Sequence, residues 1–165
     1  MKLKNKILII IISNVVFLLI SLSLMLFFTT EPINNRVFTD INSFNKLDQY
    51  VTKDFDIAND KKLNGLVPKQ SYTKEISYNG HVYSVYAYVF SDTATTNSYF
   101  KSCTGKNTNM EYNFSMSTNV LFSSDYIAYS GCYVYRIEGN SYKEFVNAVN
   151  FINDSFPIDL NTINS

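Results

Sequence analysis

The chain has 165 residues, with 14 basic and 14 acidic side chains and a single histidine. Three of the basic residues precede the first apolar segment, so the rest carries a net charge of about −3 and shows no basic face of the kind that binds nucleic acid. Aromatic residues make up 16% of the chain and glycine is scarce, which favours an ordered, strand-containing domain over a disordered stalk. Abundant Asn, Ile, Lys and Tyr are typical of an AT-rich coding sequence from a low-GC bacterium.

The first element along the chain is an apolar segment of residues 7–28, which contains no charged side chain. As a helix it would be roughly 33 Å long, and the hydrocarbon core of a bilayer is about 30 Å thick. Lys2, Lys4 and Lys6 stand directly before it and are expected to stay on the cytoplasmic side. We therefore predict a single-pass anchor whose partner is the lipid bilayer, with a cytoplasmic N-terminus and an extracytoplasmic C-terminal part.

A cleaved signal peptide is the competing interpretation of this segment. Signal peptides have shorter apolar regions, of about 7–15 residues, that end at a small-x-small site. The one suitable triplet, Ser21-Leu22-Ser23, is followed by five more apolar residues, so a retained anchor is favoured. The predicted organisation is then a cytoplasmic N-terminus (1–6), the signal anchor (7–28), a juxtamembrane linker (29–38) and an extracytoplasmic domain (39–165).

The extracytoplasmic part begins with a predicted helix. Thr39 or Asp40 can cap its start, since short polar side chains accept a hydrogen bond from the first turn. Apolar side chains then recur at spacings of three and four, which predicts an amphipathic helix over residues 41–55. The polar residues 56–70 follow and predict a loop.

A tight hairpin is predicted next, between strands 72–78 and 81–90. Asn79-Gly80 separates the two strands, and Asn-Gly suits the two positive φ angles of a type I′ turn. Both faces of the second strand are apolar, which predicts a central position in the sheet.

The remaining pattern alternates between helical and extended segments. It predicts, in chain order, a helix over 93–103, a strand over 110–116, a hairpin of strands 121–130 and 132–138, and a helix over 142–154. Strands joined by tight hairpins run antiparallel. The predicted fold is therefore α+β, with one antiparallel sheet and about three helices packed mainly on one face; this order of elements is too general to indicate a family.

Cys103 and Cys132 are the two cysteines, and both lie in the predicted extracytoplasmic domain. An even pair in an oxidising compartment is typical of a disulfide. Closing a loop of about 30 residues would stabilise the fold by roughly 3–4 kcal/mol. We predict this bridge, with two free buried thiols as the alternative.

Tyrosines offer the only candidate binding surface in the sequence. Tyr86, Tyr88, Tyr133 and Tyr135 alternate along two predicted neighbouring strands. If helices cover only one face of the sheet, a row of them would be exposed, where it would suit contact with a protein or a glycan. The alternative is that they pack beneath helices or loops.

No catalytic or metal-binding motif is evident, so no catalytic residue, metal ligand or cofactor is predicted. His81 and Cys103 could form a nucleophile–base pair, but His81 adjoins a turn and Cys103 is explained by Cys132. Asp54, Asp56 and Asp60 form an acidic group of the kind that binds calcium, yet their spacing does not fit an EF-hand loop. A solvated loop is the simpler interpretation.

These observations favour a non-catalytic, membrane-tethered protein that binds an envelope protein or another envelope ligand such as a glycan. The alternative is a membrane-anchored hydrolase with a carboxylate or cysteine site that no motif reveals. A cleft holding an acid with a raised pKa would favour hydrolysis, whereas a flat sheet would favour binding. A third hypothesis makes the anchor itself the interaction element, through Asn14 and Ser21.

Overall fold

The structure, a computed structural model, describes residues 11–19, 33, 36–108, 112–119, 123–140, 142–156 and 158–159. The chain divides into two compact units, Met1–Pro32 and Ile33–Ser165. In the first unit, residues 11–19 form a helix, α1. Among the described residues, no helix combines the length and the apolar character that crossing a bilayer requires. The other parts of the predicted anchor, residues 7–10 and 20–28, lie outside the described residues.

The second unit has an α+β fold built on one six-stranded antiparallel sheet. Its elements are β1 (Arg36–Val37), a 3₁₀ helix (Ile41–Tyr50), β2 (Val51–Asp54), two short 3₁₀ turns (Ile57–Asn59 and Lys61–Leu63), β3 (Gln70–Tyr78), β4 (His81–Val89), α2 (Thr93–Thr104), β5 (Tyr112–Asn119), β6 (Ser123–Ser130), β7 (Tyr133–Gly139), α3 (Tyr142–Asn153) and β8 (Ile158–Asp159). The strand order in the large sheet is β2-β3-β4-β7-β6-β5, and β1 pairs separately with β8.

The predicted hairpins are confirmed. Asn79 and Gly80 have φ angles of 50° and 79° between β3 and β4, and Gly131 has a φ of 55° between β6 and β7. Strand β4 lies between β3 and β7, so its predicted central position is confirmed too. Asp92 caps α2, because its side chain accepts a hydrogen bond from the Thr95 backbone N–H at 2.7 Å.

The first face of the sheet is covered by the 3₁₀ helix Ile41–Tyr50 and by α3. Phe44 and Leu47 from the first, and Phe145 and Ile152 from the second, pack on it and are fully buried. Gly139 permits this close packing, since a Cβ there would lie 2.6 Å from the Tyr83 ring. This layer forms the larger of the two apolar clusters of the described residues.

Helices cover both faces of the sheet, which corrects the prediction that they pack mainly on one. Helix α2 lies on the second face, where Tyr99 and Phe100 pack against Tyr88, Ile127 and other strand residues. The short 3₁₀ turn Lys61–Leu63 adds Leu63 to the same cluster. The physical reason is that the central strands are apolar on both faces, so each face needs its own cover.

The predicted helix over 41–55 is shorter than expected. It ends at Tyr50, because Val51 adopts an extended conformation, and residues 51–54 form the edge strand β2 beside β3. Because residues 51–54 are extended, the predicted apolar stripe does not stay on one side of the sheet. Phe44 packs on the first face and Phe55 packs on the second face. The β-branched pair Val51-Thr52 suits a strand better than a helix.

Part of the predicted linker 29–38 belongs to the folded unit. Arg36–Val37 forms β1, and Phe38 is 1% exposed and packs edge-on against Phe44 and Tyr135. The linker residues 29–32, 34 and 35 lie outside the described residues.

Candidate binding sites on the second sheet face

The second face of the sheet carries a buried charge in an otherwise apolar layer. Residues that pair across antiparallel strands place their side chains on the same face, so strand register defines two polar rows here. One row consists of Ser115, Ile127, Arg136 and Tyr86, and the next consists of Ser117, Asp125, Glu138 and Ser84.

Arg136 is the centre of this polar group, although it is only 2% exposed. Its Nη2 lies 2.9 Å from Asp60 Oδ1, and its Nε donates to the Tyr99 hydroxyl at 3.2 Å. The guanidinium carbon lies 4.2 Å from the centroid of the Tyr86 ring, which adds a cation–π contact. Burial acts against the charge, but the neighbouring tyrosine and three carboxylates outweigh it and raise the pKa of Arg136, which stays protonated.

Asp60 fastens the loop of residues 57–68 to the sheet. Its Oδ1 accepts from the Lys62 backbone N–H at 3.0 Å, which caps the turn Lys61–Leu63. Its Oδ2 accepts from the hydroxyls of Tyr88 and Tyr99 at 3.0 and 2.6 Å. Burial, followed by the effect of Asp60, raises the pKa of Tyr88 well beyond its ordinary value, so this phenol stays a donor.

Two further carboxylates share the same guanidinium. Glu138 accepts from Arg136 Nη1 and from the Tyr86 hydroxyl, the latter at 3.1 Å. Asp125, directly opposite Glu138 on β6, is more distant: its Oδ2 lies 3.5 Å from Arg136 Nη1. Burial raises the pKa of Asp125 to about 6, Arg136 opposes this rise, and Glu138 adds to it. Asp125 is therefore the carboxylate with the weakest charge compensation of the three.

A groove of about 630 Å³ lies along the loop that Asp60 fastens. Its lining is mostly apolar and comes from residues 57–68, including Ile57, Leu66, Val67 and Pro68. Val67 is 82% exposed, which is the largest exposure among the large apolar side chains of the described residues. Val67 shares this lining with the partly exposed Ile57, Leu66 and Pro68, and contiguous apolar surface of this kind is typical of a contact site.

A smaller cavity of about 230 Å³ lies on the same face, between the end of α2 and the strands β5 and β6. Its lining is polar: Asp125, Ser115 and Ser117 face it from the strands, and Cys103 and Thr104 from the helix, with Lys106 beyond. The groove and the cavity share no lining residue.

The four tyrosines predicted as a binding face do not form one. Tyr86, Tyr88 and Tyr135 are buried, at 9%, 0% and 1% exposure, and Tyr133 is partly buried. Strand register also separates them. Tyr86 is paired with Arg136 and the next residue, Ala87, is paired with Tyr135, so Tyr86 and Tyr135 lie on opposite faces of the sheet. The alternative interpretation, packing beneath helices, is the one that the structure bears out.

The predicted disulfide is absent, since Cys103 and Cys132 are both free thiols in this structure. Cys103 lies in the last turn of α2 and packs against the cluster of the second face. Cys132 lies in the turn between β6 and β7, where its carbonyl accepts from the Phe90 N–H. Burial raises the pKa of Cys103 to about 11, so this thiol is protonated at neutral pH and is a poor nucleophile.

The three acidic candidates from the sequence have structural roles, whereas His81 is exposed beside the hairpin turn and lines neither the groove nor the cavity. Asp56 caps the turn Ile57–Asn59, Asp60 binds Arg136, and Asp54 lies 3.7 Å from Lys74 Nζ. Within the described residues, no group of three or more His, Cys, Asp or Glu is placed to hold a metal ion.

Sequence reasoning did not single out Arg136, which organises the site. One feature of the sequence could have indicated it: Arg136 lies in the middle of the otherwise mostly apolar strand Tyr133–Gly139. An arginine at such a position is expected to be buried, and a buried charge needs a carboxylate partner. Its main partner, Asp60, is 76 residues away in the chain, so the pattern could not identify it.

Comparison of the chain with protein-family models, with curated proteins and with solved structures found no match. Function must therefore be argued from the two sites themselves.

Replacing Asp60 tests the role of the buried ion pair, and Asp56 offers a matched control. Both carboxylates cap a short 3₁₀ turn, but only Asp60 contacts Arg136. We expect Asp60→Ala to lower the free energy of unfolding by roughly 3 kcal/mol, because it leaves the buried charge of Arg136 without its fully buried carboxylate partner. Asp56→Ala should cost about 1 kcal/mol, as expected for an exposed cap. Urea titration of the full chain measures both, and equal losses would show that Asp60 acts only as a cap.

The raised pKa of Asp125 predicts a pH dependence of stability. The ordinary pKa of this carboxyl group is 3.8, and its pKa in the folded chain is about 6. At a pH between these two values, Asp125 holds a proton in the folded chain and has released it in the unfolded chain. The contribution of Asp125 to the free energy of unfolding should therefore fall by up to about 3 kcal/mol as pH rises through this window. Above about pH 6 this contribution should stay constant. Asp125→Asn should remove this component, so the difference between wild type and variant should change between pH 4 and pH 6. A difference independent of pH would contradict the assignment.

Proposed function

We propose that this protein is a non-catalytic, membrane-tethered binding protein whose extracytoplasmic domain binds a protein partner at the groove of residues 57–68. The observation that supports this is the exposed Val67 in an apolar groove whose loop is held in place by the buried Asp60–Arg136 pair. A loop fixed in advance loses little conformational entropy on binding, which favours affinity.

The chemistry around the groove indicates the kind of partner. Lys61, Lys62 and Lys69 are exposed on or beside the loop, so the apolar surface is flanked by positive charge. A protein segment with an apolar side chain between acidic residues would complement both features. A glycan fits less well, since carbohydrate sites usually need exposed aromatic rings, and the large aromatic side chains of this face are mostly buried.

Membrane attachment through residues 7–28 is part of the same proposal. Its support comes from the sequence, an uncharged apolar segment preceded by three lysines, and from the surface of α1. Seven large apolar side chains of that helix are roughly half exposed or more, which a bilayer would bury: Ile11, Ile12, Val15, Val16, Phe17, Leu18 and Leu19. The proposed localisation is a cell membrane, with the N-terminus cytoplasmic and residues 39–165 extracytoplasmic.

A photo-crosslinking amino acid at position 67, in the full chain in native membranes, tests this function. We expect it to capture a protein segment that carries an apolar residue flanked by acidic ones, and we expect Lys61→Glu with Lys69→Glu to lower the yield at least tenfold. The same crosslinker at Val82 is the matched control, since that valine is also exposed, at 53%, but lies outside the groove.

Equal capture at both positions, or capture that the charge reversals leave unchanged, would contradict the proposal. The same membranes test the anchor, because a spanning segment resists extraction at alkaline pH. Release of the full chain into the soluble fraction would count against membrane tethering while leaving the groove prediction standing.

A membrane-anchored hydrolase is a second candidate, which one observation favours. Asp125 faces a polar cavity and has a pKa raised to about 6, a value suited to a general acid. The neighbouring Cys103 weakens this candidate, because its thiol has a pKa of about 11. Hydrolysis of simple nitrophenyl esters or glycosides by the full chain, lost in Asp125→Asn and retained in Asp92→Asn, would support it; equal rates in the two variants would exclude Asp125 as the acid.

A further inference from the structure

The two edge strands of the large sheet differ in how they are protected from pairing with another chain. An edge strand leaves a row of backbone N–H and C=O groups unpaired, and proteins usually guard it by short length, charged side chains or a bulge. Strand β2 has all three protections. It spans four residues, it carries Lys53 and Asp54, and its register with β3 shifts between Val51 and Lys53.

Strand β5, at the opposite edge, has none of these protections. It spans eight residues, Tyr112–Asn119, with no charged residue and no proline, and its register with β6 is regular along the whole length. Among the described residues, no strand lies on its other side. Phe114 within this strand is 46% exposed. A long, regular and uncharged edge of this kind is a site for the addition of another strand.

Strand register shows which backbone groups of β5 face the open edge. The two-residue turn between β6 and β7 makes Ser130 and Tyr133 a hydrogen-bonded pair. The backbone groups of successive residues in an antiparallel strand point to opposite neighbours, so Ile127, three positions before Ser130, directs its N–H and C=O towards Ser115 on β5. The same groups of the next residue, Met116, therefore point to the open edge.

A hydrogen bond at Phe114 agrees with this alternation. The Phe114 N–H donates to Oδ1 of the Asn113 side chain at 2.8 Å, and not to β6. A side chain of the same strand thus occupies a donor that an added strand would use. Exchanging this bond for one to a backbone carbonyl costs little, because one hydrogen bond replaces another.

The side chains of β5 make a second copy of the same strand a complementary partner. Antiparallel pairing about a two-fold axis at Ser115 places Phe114 opposite Met116 of the partner subunit, on the sheet face where Met116 already packs against the larger apolar cluster. On the other face, Asn113 lies opposite Ser117 of the partner subunit. Apolar side chains then meet apolar ones, polar side chains meet polar ones, and no charge on the strand repels its copy.

We propose that two copies of this chain pair through β5 in antiparallel orientation, with Ser115 on the two-fold axis. In this register Phe114 and Met116 of the partner subunit exchange both of their outward N–H···O bonds, and the axis repeats the exchange. The sheet of one copy continues into the sheet of the other. The groove of residues 57–68 contains no residue of β5, so the inference does not depend on the protein partner of the groove.

Disulfide trapping of the full chain, in the cells that produce it and with both native cysteines replaced by serine, tests the proposal. Ser115→Cys should form a covalent homodimer under a mild oxidant, because facing residues of this kind have Cα atoms about 4.5 Å apart, a distance that a disulfide spans. Ser117→Cys on the same strand is the matched control. It should give at least tenfold less dimer, since its two copies lie about 14 Å apart along the strands.

Co-expression of two differently tagged chains checks the register. Asn113→Cys in one chain and Ser117→Cys in the other should link to each other as efficiently as two Ser115→Cys chains, although neither links efficiently to its own copy. Unfolded or randomly colliding chains would show no such preference, so this pattern separates a specific strand pairing from aggregation.

A charge on the edge should prevent the pairing. Phe114→Lys, added to Ser115→Cys, should lower the yield of dimer at least tenfold, because it removes the contact with Met116 of the partner subunit and places a lysine on the edge. Val82→Lys is the control, since that valine has a similar exposure of 53% but lies on β4, which is not an edge strand. The cysteine comparison stands even if Phe114→Lys fails to fold.

Equal yields from Ser115→Cys and Ser117→Cys, or no homodimer from Ser115→Cys, would overturn the proposal. Linkage of Ser115→Cys to a different protein in place of its own copy would also contradict it, because the edge would then serve a foreign strand. A folded Phe114→Lys variant that still forms the dimer would show that the chains meet without pairing through β5.

Discussion

A single buried cation determines how this fold is assembled on one side of its sheet. Arg136 lies in a central strand with 2% of its surface exposed, and a charge in that position is tolerated only when carboxylates and hydroxyls surround it. Those groups come from distant parts of the chain: Asp60 from the loop, Tyr99 from α2 and Asp125 from β6. The loop and the helix must therefore meet at this point of the sheet, and both candidate sites lie beside it.

The two faces of the sheet illustrate different means of holding a layer together. The first face is closed by apolar and aromatic packing from the 3₁₀ helix and α3, with rings such as Phe38, Phe44 and Phe156 in edge-on contacts. The second face combines a smaller apolar cluster with the ion pairs of Arg136. Apolar packing is non-directional, whereas the ion pairs require particular partners at particular distances. The ion pairs of the second face therefore specify where the loop and helix α2 lie on the sheet.

Much of the fold could be predicted from local pattern. Asn79-Gly80 and Gly131 supply the positive φ angles that their hairpins need, and Asp92 supplies a cap, so these elements follow from neighbouring residues. The candidate site could not be predicted in this way. The tyrosines looked like a surface because their alternation is visible in the sequence, but exposure depends on which helix covers which face. The disulfide was a similar case: two cysteines can be counted, yet whether they meet depends on the fold.

The sequence by itself therefore determined the elements whose cause is local: an uncharged apolar segment preceded by lysines, tight hairpins, capped helices and an α+β class with one antiparallel sheet. Only the tertiary structure decided that helices cover both faces, that residues 51–54 leave the helix to form an edge strand, and that Asp60 and Asp125 share Arg136. The physical reason is range. Turns and caps depend on residues a few positions apart, whereas burial and charge compensation join groups that are 76 residues apart in the chain.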